Sequence, residues 1–136
     1  MRWGKIEITL TDNITRNLFD ILHKTIPIAK ELKFAVAFMK YSGFRLIEED
    51  INIFLKNGRN IEFLLGLDFQ TTEPKILRIL NKLYKEGLPV RCYCFSDPLF
   101  SNAPVYHPKL YLINNENSTT ITIGSSNLTG GGFKKI

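Results

Sequence analysis

His107 and Lys109 stand two residues apart in "VYHPKLYLI", and Ser125 and Asn127 repeat that spacing in "IGSSNLTGGG". Residues two apart on an extended strand project from one face, so the imidazole and the ammonium point the same way. Ser125 and Asn127 share a direction if the chain stays extended past Gly124. If the two strands pair, an imidazole, an ammonium, a hydroxyl and a carboxamide surround one spot. That set suits phosphodiester chemistry. An unprotonated imidazole can attack phosphorus and form a covalent intermediate. A lysine and an amide donor can hold the equatorial oxygens as charge builds. The following "TGGGF" offers backbone N–H groups that side chains do not shield, which suits an anion. This chemistry needs no metal or other cofactor, and no tight carboxylate cluster that would bind magnesium flanks the motif. The competing reading is a plain hairpin with an incidental structural histidine.

The elements that must position these groups follow from the hydrophobic pattern. Short apolar runs alternate with longer amphipathic stretches, the signature of an α/β domain. "KIEITL" (residues 5 to 10) alternates as a strand, and "TDN" (11 to 13) offers capping side chains for a helix carrying Ile14, Leu18, Ile21, Leu22 and Thr25. Pro27 ends or kinks that helix. "FAVAFM" (34 to 39) reads as a strand buried on both faces. Ser42 precedes a second helix through Phe44, Ile47, Ile51, Phe54 and Leu55, closed by Asn57-Gly58.

"IEFLLGL" (61 to 67) is another buried strand. "TTEP" (71 to 74) combines an N-cap residue with a proline in the first turn of a third helix, which Gly87 stops. "LPVRCYCF" (88 to 95) is the next strand, and a polar loop runs from Ser96 to Pro104. "YHPKLYLI" and "STTITIG" then form two strands joined by "NNEN". The order β-α-β-α-β-α-β-β-β predicts a mixed, mostly parallel sheet flanked by helices, with antiparallel pairing in the final hairpin.

The chain's 136 residues fit one domain, spanning 1–136, whether it is naturally short or cut from a longer protein. Hydrophobic residues at 44% and charged residues at 23% are a globular rather than a disordered composition. No apolar run is long enough for a membrane span, and the N-terminus lacks a signal-peptide core, so the expected location is the cytoplasm. The net charge of +5 biases the chain toward anionic partners, with nucleic acid first. Cys92 and Cys94 in "RCYCF" share one strand face, and without a second pair they read as reduced structural cysteines rather than half a zinc site.

Other residues admit two readings. Lys75, Arg78, Lys82 and Lys85 share one helical face, as a phosphate-contacting stripe or, preferably, a solvated surface. Lys40, Ser42 and Arg45 lie where a strand gives way to a helix, the end of α/β sheets at which ligand groups gather. Trp3, Tyr106 and Tyr111 either stack on bases or pack the sheet. His23, in "LHKT", sits in a helical pattern and reads as surface or helix packing.

The pair of motifs, His107-x-Lys109 and Gly124-Ser125-x-Asn127, resembles the HxK…GSxN signature of the phospholipase D superfamily. In outline the whole chain is similar to the branch found in metal-independent restriction endonucleases and helicase-associated nuclease domains. The two motifs together, each carried by an apolar strand, are far more specific than HxK alone. The resemblance implies that His107 is the nucleophile, that Lys109 and Asn127 bind phosphate, and that Ser125 supports them. It implies no cofactor and no metal. Family enzymes use two such motifs, so that a second histidine can protonate the leaving group. With one motif here, the implied assembly is a homodimer.

The expected function is therefore hydrolysis of DNA phosphodiester bonds through a phosphohistidine, with no membrane role, in a restriction or helicase setting. The rival is a non-catalytic nucleic-acid-binding or dimerisation domain. Two departures motivate that rival. Asn114 stands where the family pattern has an aspartate, and the chain ends at Ile136 before the acidic residue that orients the histidine in related enzymes.

Overall fold

The computed structural model describes residues 7, 8, 10, 17–67, 72–95, 107–125 and 127–129. A helix α1 (Leu18–Thr25) and a 3-10 turn (Ile26–Ile28) lead into strand β1 (Glu31–Val36). Helix α2 (Tyr41–Lys56), strand β2 (Asn60–Gly66), helix α3 (Pro74–Lys85) and strand β3 (Val90–Phe95) follow. Strands β4 (Lys109–Asn114) and β5 (Thr119–Ile123) close the order. The five strands form one sheet in the order β3-β2-β1-β4-β5. β1, β2 and β3 are parallel, while β4 runs antiparallel to both β1 and β5. This is the mixed α/β sheet that the alternation of elements predicts.

Local chemistry explains most of the boundaries. The side chain of Asn17 accepts a hydrogen bond from the Asp20 N–H and so caps α1. The cap is therefore Asn17 rather than the 11–13 stretch, which lies outside the described residues, as does Ile14. Pro27 falls in the 3-10 turn that ends α1. Gly58 and Gly87, with φ of 74° and 85°, supply the left-handed residues after α2 and α3. Of "KIEITL", Glu7, Ile8 and Leu10 form no strand and are exposed, and the remainder lies outside the described residues. A single alternating segment makes a strand only when an edge accepts it, and propensity alone does not supply that partner.

The core lies on one face of the sheet. Leu32, Phe34, Val36, Ile61, Phe63, Leu65, Val90, Tyr111 and Ile113 meet apolar side chains from all three helices in one buried cluster. Phe34 is at its centre, edge-on to Phe63 at 5.8 Å and to Tyr111 at 5.1 Å between ring centroids. Truncating such a ring to alanine costs about 3–5 kcal/mol. The opposite face carries Lys33, Ala35, Glu62, Leu64, Arg91 and Tyr93, and no described helix covers it. The continuous apolar run "FAVAFM" thus misled in one respect. β1 is buried on one face only, starts at Glu31, and ends before Phe38 and Met39, which turn out of the sheet. Leu64 in β2 is likewise exposed.

Cys92 and Cys94 sit on the edge strand β3 with their sulfurs 3.9 Å apart. Burial, reinforced by Cys94, pushes the Cys92 thiol up to about 12, so it stays a neutral thiol near pH 7. A protonated thiol is neither nucleophile nor metal ligand. Among the described residues, no helix is long and apolar enough to cross a membrane.

Candidate active site

The site is built where β1 ends. Beyond Val36 the chain leaves the ladder, and residues 37–40 form a short strap with partners on both sides. On one side the Ala37 N–H donates to the Pro108 carbonyl at 2.9 Å, which seats the entry to β4 beside the strap. On the other, the Thr72 hydroxyl accepts from the Met39 N–H at 3.3 Å and donates to the Gly66 carbonyl at 2.6 Å. The Glu73 N–H donates to the Met39 carbonyl, and the Glu73 carboxylate accepts the Tyr41 N–H at 3.1 Å. "TTEP" was expected to supply a threonine N-cap. Thr71 lies outside the described residues, Thr72 caps nothing, and Glu73 occupies the N-cap position without a side-chain bond to α3. The hydroxyl serves the strap because two buried backbone groups there need partners.

The segment after β5 reaches the same strap. β5 is the sheet's edge and β4 separates it from β1. Nevertheless Leu128 forms a parallel bridge with Met39, so the chain must cross past the entry to β4. The Leu128 N–H donates to the Phe38 carbonyl, and the Lys40 N–H donates to the Leu128 carbonyl. Gly43, in the first turn of α2, lies under this crossing. A Cβ there would stand 2.5 Å from the Thr129 nitrogen and 2.6 Å from the Leu128 oxygen, so only glycine permits the approach.

His107 and Lys109 point to one side, as strand alternation requires. The Lys109 ammonium contacts Nδ1 of His107 and also donates to the His107 carbonyl at 3.1 Å. An ammonium has donors only, so the ring nitrogen is the acceptor in this contact. The His107 ring is exposed and meets the Phe38 ring edge-on, with centroids 5.5 Å apart and planes at 89°.

Asn127 reaches Phe38 from the other side. Its Oδ1 accepts the Phe38 backbone N–H at 3.2 Å. Only the carbonyl oxygen of a carboxamide can accept, so the NH₂ is the part of the side chain that can donate. His107 and Asn127 thus both contact Phe38, the imidazole at its ring and the amide at its backbone N–H.

Ser125 was expected to share the direction of Asn127. The chain instead bends at Gly124 and Ser125, and Ser125 is exposed at the same end of the sheet. Lys40 lies in the strap, exposed, and Arg45 and Ser42 lie in the first turns of α2, also exposed. Gly130 to Phe133, Trp3 and Tyr106 are outside the described residues. Tyr111 is a core residue whose phenol burial pushes to higher pKa, not a base-stacking one. Lys75 lies 3.6 Å over the Tyr41 ring, Lys82 pairs with Glu86, and Arg78 and Lys85 are exposed, as a solvated helix face requires.

Asn114 is at the far end of β4 from His107. Its side chain accepts from the Thr119 hydroxyl at 3.0 Å and its carbonyl accepts the Lys30 N–H. It lies five positions along the strand from Lys109, roughly 17 Å. Its side chain braces the hairpin and does not reach the site.

A family model described as "Cardiolipin synthase, PLD-like domain" matches residues 22–136. The chain belongs to the phospholipase D superfamily. Its match takes in every described strand and all of α2 and α3, so the superfamily assignment covers the fold as well as the site. Among curated proteins, none matches the chain. A phospholipase D-like domain is of a phosphodiesterase type, which agrees with the groups gathered at Phe38. Sequence reasoning missed Phe38, Gly43 and Thr72. Phe38 was hidden in an apolar run, and Gly43 and Thr72 matter through contacts with residues far along the chain.

Proposed function

We propose that this chain is a phosphodiesterase that cleaves DNA through a phosphohistidine at His107, with two copies completing one active site. The observation that carries the reading is that Phe38 touches both motifs, its N–H fixing the Asn127 carboxamide and its ring meeting His107, which Lys109 contacts. The Lys109 ammonium exchanges its imidazole contact for the phosphate oxygens when a diester enters, which frees the ring to attack. The His107 nitrogen forms a bond to phosphorus as the bond to the leaving oxygen breaks. That oxygen takes a proton from the second copy's imidazolium. Water then attacks the phosphohistidine, gives its proton to the same second imidazole, and releases His107. Lys109 and Asn127 stabilise the equatorial charge in both steps. The N-terminal end of α2 adds the favourable end of its dipole.

The net charge of +5 favours a polyanionic substrate, and a restriction or helicase setting is the natural one for a DNA-cleaving module of this kind. The test is hydrolysis of DNA and of a chromogenic diester in excess EDTA, with acid-labile, base-stable phosphorylation of the protein followed in parallel. The reading expects cleavage and a covalent phosphoprotein that His107→Ala does not form. Salt-dependent DNA binding with no cleavage would replace it with a non-catalytic binding domain.

A further inference from the structure

We infer that Phe38 is a positioning residue, holding the imidazole of His107 in register with the carboxamide of Asn127; its effect on turnover rests on the phosphodiesterase reading above. Phe38 lies outside both sequence motifs. Its main chain holds the second motif, because its N–H fixes the Asn127 side chain and its carbonyl fixes the Leu128 N–H. Its ring holds the first, meeting the His107 ring edge-on at 5.5 Å. The neighbouring Ala37 N–H secures Pro108, so backbone and ring together brace the entry to β4. The strap itself is anchored from the far side by the buried Thr72 hydroxyl at Met39.

The ring is needed for a geometric reason. His107 is exposed and precedes the first residue of β4, where the ladder does little to restrain its side chain. An exposed imidazole can rotate about its side-chain bonds. A planar ring set at 89° to it removes much of that freedom. Attack in line with the leaving oxygen requires that orientation, and small misplacements of a reacting group are costly in rate. A flexible aliphatic side chain would fill the space without defining the angle.

The experiment uses the full chain with Phe38→Leu and Phe38→Tyr. Both substitutions leave the backbone bonds to Asn127 and Leu128 in place, and thermal denaturation confirms that each variant folds. The first readout is the NMR resonances of the His107 ring protons, assigned by their loss in His107→Ala. The second is the division of any rate loss between kcat and KM. Phe38→Leu should shift the ring resonances toward those of a free imidazole and lower kcat by about tenfold, with KM nearly unchanged. Phe38→Tyr should keep both properties. Unchanged ring resonances in Phe38→Leu overturn the inference, and so does a Phe38→Tyr variant as impaired as Phe38→Leu. A wild-type chain that cleaves no diester, yet shows resonances that depend on the Phe38 ring, supports the positioning and overturns the catalytic reading alone.

Discussion

The two histidines of this chain occupy contrasting surroundings. His23 lies in the last turn of α1 with its Nδ1 2.7 Å from the Asp50 carboxylate and its ring stacked on Phe19. Asp50 lies nine residues along α2 from Tyr41, roughly 14 Å of helix. Every group around His23 is satisfied by the ordinary needs of a helix surface. Among the described residues, His107 has no carboxylate partner. Its neighbours are an ammonium and an aromatic ring whose own backbone N–H holds the Asn127 amide oxygen. One histidine thus faces an acceptor and the other a donor. The difference teaches that a histidine's role is set by the sign and donor character of what faces it.

Substitution of each histidine is the strongest way to break that contrast. On the proposed mechanism, His107→Ala should lower diester turnover by about 10³-fold or more, since the nucleophile that it assigns would be lost without a substitute. His23→Ala should leave turnover near wild type, and equal losses at both positions would sink the distinction. The amide comes next. Asn127→Asp keeps an acceptor for the Phe38 N–H but removes the donors and adds negative charge. It should cost about 10²–10³ in kcat while the melting temperature stays close to that of the wild type, as scanning calorimetry can show.

A third test sharpens the contrast in packing. Gly43→Ala forces a methyl group against Leu128 and Thr129, with an expected loss of about 1–3 kcal/mol by urea denaturation. Wild-type stability in that variant would mean that the crossing over α2 has slack. The smallest effect belongs to the helix surface. The His23 side chain is 60% exposed, so Asp50→Asn should cost less than about 1 kcal/mol, and still less at high salt.

Much of this was legible in the sequence, for local reasons. Strand alternation placed His107 and Lys109 on one face, and Gly58 and Gly87 marked helix ends through chemistry that acts within a few residues. The apolar stripe of α2 announced its buried side. The unread parts depend on distant partners. The strap at residues 37–40 holds together through Thr72, Pro108 and Leu128, and nothing near Phe38 in sequence reveals them. Thr72 has the right type and place for a helix cap, yet the unpaired Met39 N–H and Gly66 carbonyl claimed its hydroxyl. Asn114 looked like a damaged catalytic position because a one-dimensional pattern carries no direction. The strand delivers it to the opposite end of the sheet.

That placement of Asn114 has a practical side. The turn Asn115–Ser118, closed by the Asn115 N–H to the Ser118 carbonyl, hangs at the end of β4 and β5 remote from His107. It is exposed from Glu116 to Ser118. Extra residues, an affinity handle or a fluorophore can be grafted there without crowding a bound diester. The hairpin is thus a natural attachment point for immobilising the protein on a surface with its chemistry facing outward.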